Sequence, residues 1–173
     1  MRLFKYSKLA VGRAILAFAL AIASSQCPTS QAQTSPNNSL QAPVQTSLSC
    51  PSKEIMAGKP FNLFVDFEME PGWHIYHKNP GESGMPTKVQ WILPTGFKVE
   101  EQKWPQPETF KESGIVTYGH SKKLRLGATV TPPGSLKTGH VVQIKVAASW
   151  LACKHSCVPG NKTMAIELKV GSK

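Results

Sequence analysis

Apolar and polar residues alternate with a period of two in four segments of this 173-residue sequence. Such alternation is typical of β-strands that place one face on a core and the other in water. Shorter strands are predicted at 73–77 and 89–93, and no window has the spacing of an amphipathic helix. The apolar positions of the four segments are Phe61, Leu63, Val65, Phe67 and Met69; Leu124, Leu126, Ala128 and Val130; Val142, Ile144, Val146, Ala148 and Trp150; and Met164, Ile166, Leu168 and Val170.

Glycine and proline clusters separate these segments and predict turns. About seven short strands in about 125 residues predict an all-β fold, an immunoglobulin-like antiparallel β-sandwich. A domain of this length has room for one modest core, in which we expect Trp73, Trp91 and Trp150 to pack. The predicted turns are Pro71-Gly72, Asn79-Pro80-Gly81, Pro94-Thr95-Gly96, Pro132-Pro133-Gly134 and Pro159-Gly160.

The N-terminus has the pattern of a secretory signal peptide. Four basic residues precede an apolar run at 14–23, and ten apolar residues are about half of a membrane span. Cleavage after Ala23 or Ala32 fits the small-residue rule, and we take 1–32 as the signal peptide. Lipid attachment at Cys27 and an uncleaved anchor are the alternatives. Residues 33–47 have the polar composition of a linker, so the domain is predicted at 48–171 and the mature protein is expected to be soluble.

The positive charge of the chain is smaller after export. The formal net charge is +10, and residues 1–32 hold 4 of the 20 basic residues and none of the 10 acidic ones, which leaves 16 − 10 = +6. The remaining basic residues are scattered along the sequence. This distribution argues against nucleic acid as a partner.

The cysteines Cys153 and Cys157 are the candidate site of any chemistry. A disulfide between them closes a short loop and would stabilise the folded state by roughly 2 kcal/mol. A disulfide that closes a loop of 100 residues, of the kind that Cys50 would form, would stabilise it by about 4.7 kcal/mol. A weak local staple suits thiol–disulfide exchange. Lys154 and His155 lie between the two cysteines and would favour a thiolate. Spacing alone also fits a structural disulfide or half of a metal site.

Several motifs in order resemble the DsbD N-terminal domain family over about residues 48–171. They are EPGWHIY at 70–76, KNPGESGMPT at 78–87, WILPTGF at 91–97, WPQP at 104–107, Tyr118-Gly119, and SWLACKHSCVPG at 149–160. The resemblance implies a periplasmic immunoglobulin-like domain that relays electrons by thiol–disulfide exchange. It implies Cys153 and Cys157 as the redox pair, with no cofactor and no metal.

The resemblance also implies partners and a cap. Electrons would come from a separate membrane electron donor and pass to periplasmic thioredoxin-like proteins, so the domain would meet the membrane only through partners. A cap at about 114–119 would shield the pair with Tyr118, and Tyr76 is a candidate to border it. The sequence departs from the family in lacking the membrane segment and the thioredoxin domain, in His77 where relatives often carry an aromatic, and in Cys50, which has no place in the motif.

The residues by themselves are also compatible with two other functions. Soft thiolates select Cu(I), so the pair with His155 or His120 could handle copper. A non-catalytic sandwich with a permanently oxidised pair is the other alternative. We otherwise expect His74, His120 and His140 to be surface residues.

Overall fold

A computed structural model describes residues 42–172; the predicted signal peptide and residues 33–41 of the predicted linker lie outside them. Within 42–172 the chain forms eleven β-strands. The described residues include no helix with the length and hydrophobicity of a membrane span. The strands are β1 (Val44–Ser49), β2 (Glu54–Ile55), β3 (Phe61–Met69), β4 (His74–Gly81), β5 (Lys88–Ile92), β6 (Lys98–Glu101), β7 (Glu108–Glu112), β8 (Ile115–Ser121), β9 (Lys123–Thr131), β10 (Val141–Cys153) and β11 (Cys157–Val170).

The strands form two sheets, as an immunoglobulin-like β-sandwich requires. The first sheet has the order β1-β3-β9-β6, and the second has the order β2-β11-β10-β4-β8-β7. Strand β5 also pairs with β10, beside the part of β10 that precedes its contact with β4. Strand β2 runs parallel to β11, and the other pairings are antiparallel. The predicted all-β sandwich is confirmed.

The alternating residues face inward, as predicted. Leu63, Val65 and Phe67 of β3 have no exposed surface, and β9 and β10 alternate buried and exposed positions in the same way. Trp150 is buried, while Trp73 and Trp91 are half-buried and pack at the edge of the core. Burial of these strand faces supplies most of the favourable free energy of folding, at about 25 cal/mol per Å² of apolar surface.

The first strand starts four residues before the predicted boundary between linker and domain. Strand β1 begins at Val44 and pairs along its length with β3, where Val44 lies opposite Met69. Val44 and Thr46 are buried. Its inward positions are Val44, Thr46 and Leu48, and the polar Thr46 interrupts the apolar alternation that would have identified the strand in the sequence.

Two of the predicted turns are part of strands. Asn79-Pro80-Gly81 lies in β4, where the pairing with β8 shifts between Tyr76 and Gly81 and Gly81 has a φ of 90°. The glycine therefore serves an irregular strand rather than a tight turn. Pro159-Gly160 lies in β11, opposite Leu151 and Trp150.

Candidate functional site

The two longest strands bring the cysteine pair together. Strands β10 and β11 pair without interruption from Val141 opposite Lys169 to Cys153 opposite Cys157. A three-residue turn, 154–156, joins them, and the Lys154 N–H donates to the Ser156 carbonyl at 3.1 Å. A disulfide links Cys153 to Cys157. The predicted pair therefore sits at the end of a hairpin.

The two sulfur-bearing residues differ in exposure. Cys153 is 4% exposed and ends a buried strand, directly after Ala152 at 1%. Cys157 is exposed, on the far side of the turn. A partner can therefore reach Cys157, whereas Cys153 is shielded.

Strand β4 places a histidine beside the buried cysteine. His74 lies directly opposite Cys153 in the register between β10 and β4. Directly opposite residues share a face of the sheet, with Cβ atoms about 4.5–5.5 Å apart. His74 is 7% exposed, so the expectation that it is a surface residue is wrong.

Aromatic rings cover this histidine. The Phe110 ring stacks on the His74 imidazole, with centroids 4.2 Å apart and planes 17° apart. The ring crosses β8 at Gly119, where a Cβ atom would meet both the Phe110 ring and the Ile75 carbonyl oxygen. Tyr76 meets the imidazole edge-on at 5.4 Å. A cavity of about 390 Å³ opens beside His74 and Phe110.

Tyr118, the predicted shielding residue of the cap, lies on a different face of the sheet from Phe110. It precedes Gly119 on β8, so its side chain belongs to the opposite face of that strand from the face that Phe110 crosses. Tyr118 is 38% exposed, and its ring lies near the Gly81 backbone. These contacts favour Phe110 over Tyr118 as the shielding aromatic.

Of the two polar residues in the turn, Lys154 points towards Pro71 and His155 points to solvent. The Lys154 ammonium donates to the Pro71 carbonyl at 3.1 Å, and its stem lies over Gly72. His155 is exposed.

Burial lowers the pKa of His74, although the nearby carboxylates Glu112 and Glu108 act in the opposite direction. His74 is thus the titratable side chain directly opposite the buried cysteine.

Two further histidines, on β4 and β8, lie against each other in the same sheet. His77 Nδ1 and His120 Nε2 are 3.0 Å apart, and both residues are buried. Trp104 packs edge-on against His77 at 5.0 Å. Burial, reinforced by His77, lowers the pKa of His120 to about 4. The expectation of a surface His120 is therefore wrong, whereas His140 is exposed as expected.

The third cysteine is remote from the redox motif. Cys50 follows β1, is half-buried against the core, and is the free cysteine of the described residues. Burial raises the pKa of its thiol, against hydrogen bonds from Ser52. Among residues 42–172, no three His, Cys, Asp or Glu side chains are grouped as metal ligands.

Comparison with known proteins gives one family. The family model described as "Thiol:disulfide interchange protein DsbD, N-terminal" matches residues 44–168. No curated protein matches the sequence.

The chain is similar to solved structures of two N-terminal domains. The N-terminal periplasmic domain of ScsB from Proteus mirabilis is 16% identical with a TM-score of 0.55, over 76% of this chain and 49% of that one, so the chain spans about half of its length. The reduced DsbD N-terminal domain of Neisseria meningitidis is 12% identical with a TM-score of 0.36, over 72% of this chain and 85% of that one.

Proposed function

Because the chain belongs to the family of the N-terminal domain of the thiol:disulfide interchange protein DsbD, we propose that it relays electrons by thiol–disulfide exchange at Cys153 and Cys157. The observation that carries the proposal is the disulfide at the turn end of the β10–β11 hairpin, with one exposed and one buried cysteine. Because the two cysteines are four residues apart, the disulfide stabilises the fold only slightly, which suits a bond that opens in each cycle.

The difference in exposure supports an order of events. A partner thiolate attacks the Cys157 sulfur, which becomes joined to the partner, and the Cys153 sulfur leaves as a thiolate. A second partner thiol then attacks the mixed disulfide and releases Cys157, which leaves the pair reduced. In the opposite direction Cys157 attacks a partner disulfide and Cys153 resolves the complex. Two electrons move in each cycle, and no cofactor is needed.

The family supports an extracytoplasmic location, and we propose the periplasm. The donor is proposed to be a separate membrane protein, and the acceptors are proposed to be thioredoxin-like proteins. The β7–β8 hairpin is proposed to cap the resting site, because Phe110 covers the histidine beside Cys153.

Trapping tests the exchange directly. Cys153→Ser removes the resolving sulfur, so the protein should accumulate a covalent complex with a thioredoxin-like protein that dissolves on addition of reductant. Cys157→Ser is the matched control and should trap far less, because its remaining sulfur is buried. Absence of a complex with both variants would refute the exchange function.

The reduction potential separates exchange from a structural role. We expect a value between about −120 and −270 mV, the range of exchange-competent pairs. A value below about −300 mV would identify a structural disulfide. Stoichiometric Cu(I) binding that disappears in Cys157→Ser would instead support the copper alternative.

A further inference from the structure

The buried sulfur of the pair needs a proton acceptor before it can act. Cys153 is 4% exposed, and burial in apolar surroundings raises the pKa of a thiol. As the resolving residue it must lose its proton to attack the Cys157 sulfur. A base beside Cys153 would therefore govern the rate of resolution.

The residues next to Cys153 in sequence do not supply this base. The Lys154 ammonium is hydrogen-bonded to the Pro71 carbonyl at 3.1 Å, and an ammonium has no acceptor lone pair. His155 is exposed on the turn. The base must come from another strand.

His74 has the required position. It lies directly opposite Cys153 on the adjacent strand, so the backbone pairing places the two side chains on one face of the sheet. Phe110 and Tyr76 hold the imidazole from two sides. The cavity of about 390 Å³ beside the imidazole gives protons a route to solvent.

Burial, rather than the surrounding charges, keeps His74 in the neutral form that can act as a base. Its titratable neighbours are Tyr76 on its own strand, Glu108 and Glu112 on β7, and Lys122 at the cavity wall. Burial outweighs the two carboxylates and lowers the pKa of His74. The imidazole is therefore neutral near pH 7 and can accept a proton.

We propose that His74 is the proton acceptor and donor for the Cys153 sulfur in thiol–disulfide exchange. During resolution, the Cys153 S–H bond breaks and its proton passes to the neutral imidazole. The thiolate forms a bond to the Cys157 sulfur, and the partner sulfur leaves with the electron pair of the broken mixed disulfide. The imidazolium then returns its proton to water or to the departing thiolate. In the reverse direction the neutral imidazole first takes a proton from water, and the imidazolium then donates that proton to the departing Cys153 thiolate.

This inference rests on the proposed function, and one assay separates their outcomes. Reduced protein in a Cys27→Ala, Cys50→Ala background is mixed with 5,5′-dithiobis(2-nitrobenzoate). Attack by Cys157 releases one thionitrobenzoate, and resolution by Cys153 releases a second, so the two steps are read as two phases.

His74→Gln should slow the second release by about 10-fold or more near pH 7 and move its pH midpoint upward. The first release should change little. The exposed His155→Gln is the matched control and should leave both phases unchanged. A normal second phase in a folded His74→Gln variant would overturn the role of His74 and leave exchange intact. Failure of both Cys153→Ser and Cys157→Ser, with His74 intact, to trap a thioredoxin-like partner would instead remove the exchange function.

A second measurement keeps His74 in place, so that its result does not depend on whether the His74→Gln variant folds. The imidazole resonances of His74 should titrate differently by NMR in the reduced and oxidised proteins, because the Cys153 thiol ionises in the reduced protein alone. Identical titration curves in the two states would contradict the inference.

Discussion

The indole of Trp150 lies against the bare backbone of Gly160, its direct partner in the register of β10 and β11. A Cβ atom at Gly160 would overlap the indole ring. On its other side the indole meets the Phe67 ring at 5.5 Å, edge to face. The glycine therefore makes room for the tryptophan that anchors the hairpin three residues before Cys153.

Gly160→Ala should destabilise the protein by about 2 kcal/mol, because the buried Trp150 indole, packed against Phe67, would have to shift to admit the Cβ atom. Denaturant unfolding monitored by tryptophan fluorescence measures this change. Gly134→Ala is the matched control, since a Cβ atom there meets nothing within 4 Å. Equal midpoints for the two variants would contradict the proposed close contact.

Stability should fall as the pH drops from about 6.5 to about 4, by an amount on the order of 2 kcal/mol. The pKa of His120 is about 4 in the folded protein and 6.5 ordinarily, so the unfolded chain binds more protons in this window. The contribution of neutral His120 to the free energy of unfolding is complete above pH 6.5 and is lost on acidification. Unfolding in denaturant at several pH values measures the slope.

The controls for this pH dependence are two histidine variants. His120→Gln should flatten the slope, whereas the exposed His140→Gln should keep it. An unchanged slope in His120→Gln would show that the buried histidine pair is not its source.

Phe110→Ala should increase the rate at which glutathione reduces the Cys153–Cys157 disulfide several-fold, because it uncovers the side of the disulfide on which His74 and Cys153 are shielded and access controls exchange. Tyr118→Ala should have a smaller effect, since Tyr118 lies on the opposite strand face and is already exposed. Stopped-flow reduction of the two variants measures the difference. A larger effect of Tyr118→Ala would restore the prediction made from the sequence.

Cys50 should contribute nothing to exchange. In a Cys27→Ala background, the oxidised protein should show one thiol when denatured, and that thiol should react slowly in the native state because burial raises its pKa. Thiol titration with and without denaturant checks both statements. Cys50→Ser should abolish the signal and leave trapping by Cys153→Ser unchanged; loss of trapping would assign Cys50 a role.

The strands that the sequence predicts well are those with one buried face. The alternation in β3, β9 and β10 follows directly from burial on the core side and solvent on the other. Strands β6 and β7 gave no signal, because β6 is exposed at all positions and β7 at nearly all. A period of two requires a difference between faces, and edge strands of this kind have none.

The sequence by itself determined the β-sandwich and the cysteine pair, because both depend on residues close together along the chain. Only the tertiary structure decided what surrounds the pair. His74 is 79 positions from Cys153 and faces it through strand register, and Phe110 reaches that histidine across Gly119. Register between distant strands is set by the packing of the whole sheet, so no local pattern could identify His74 as the neighbour of the buried cysteine.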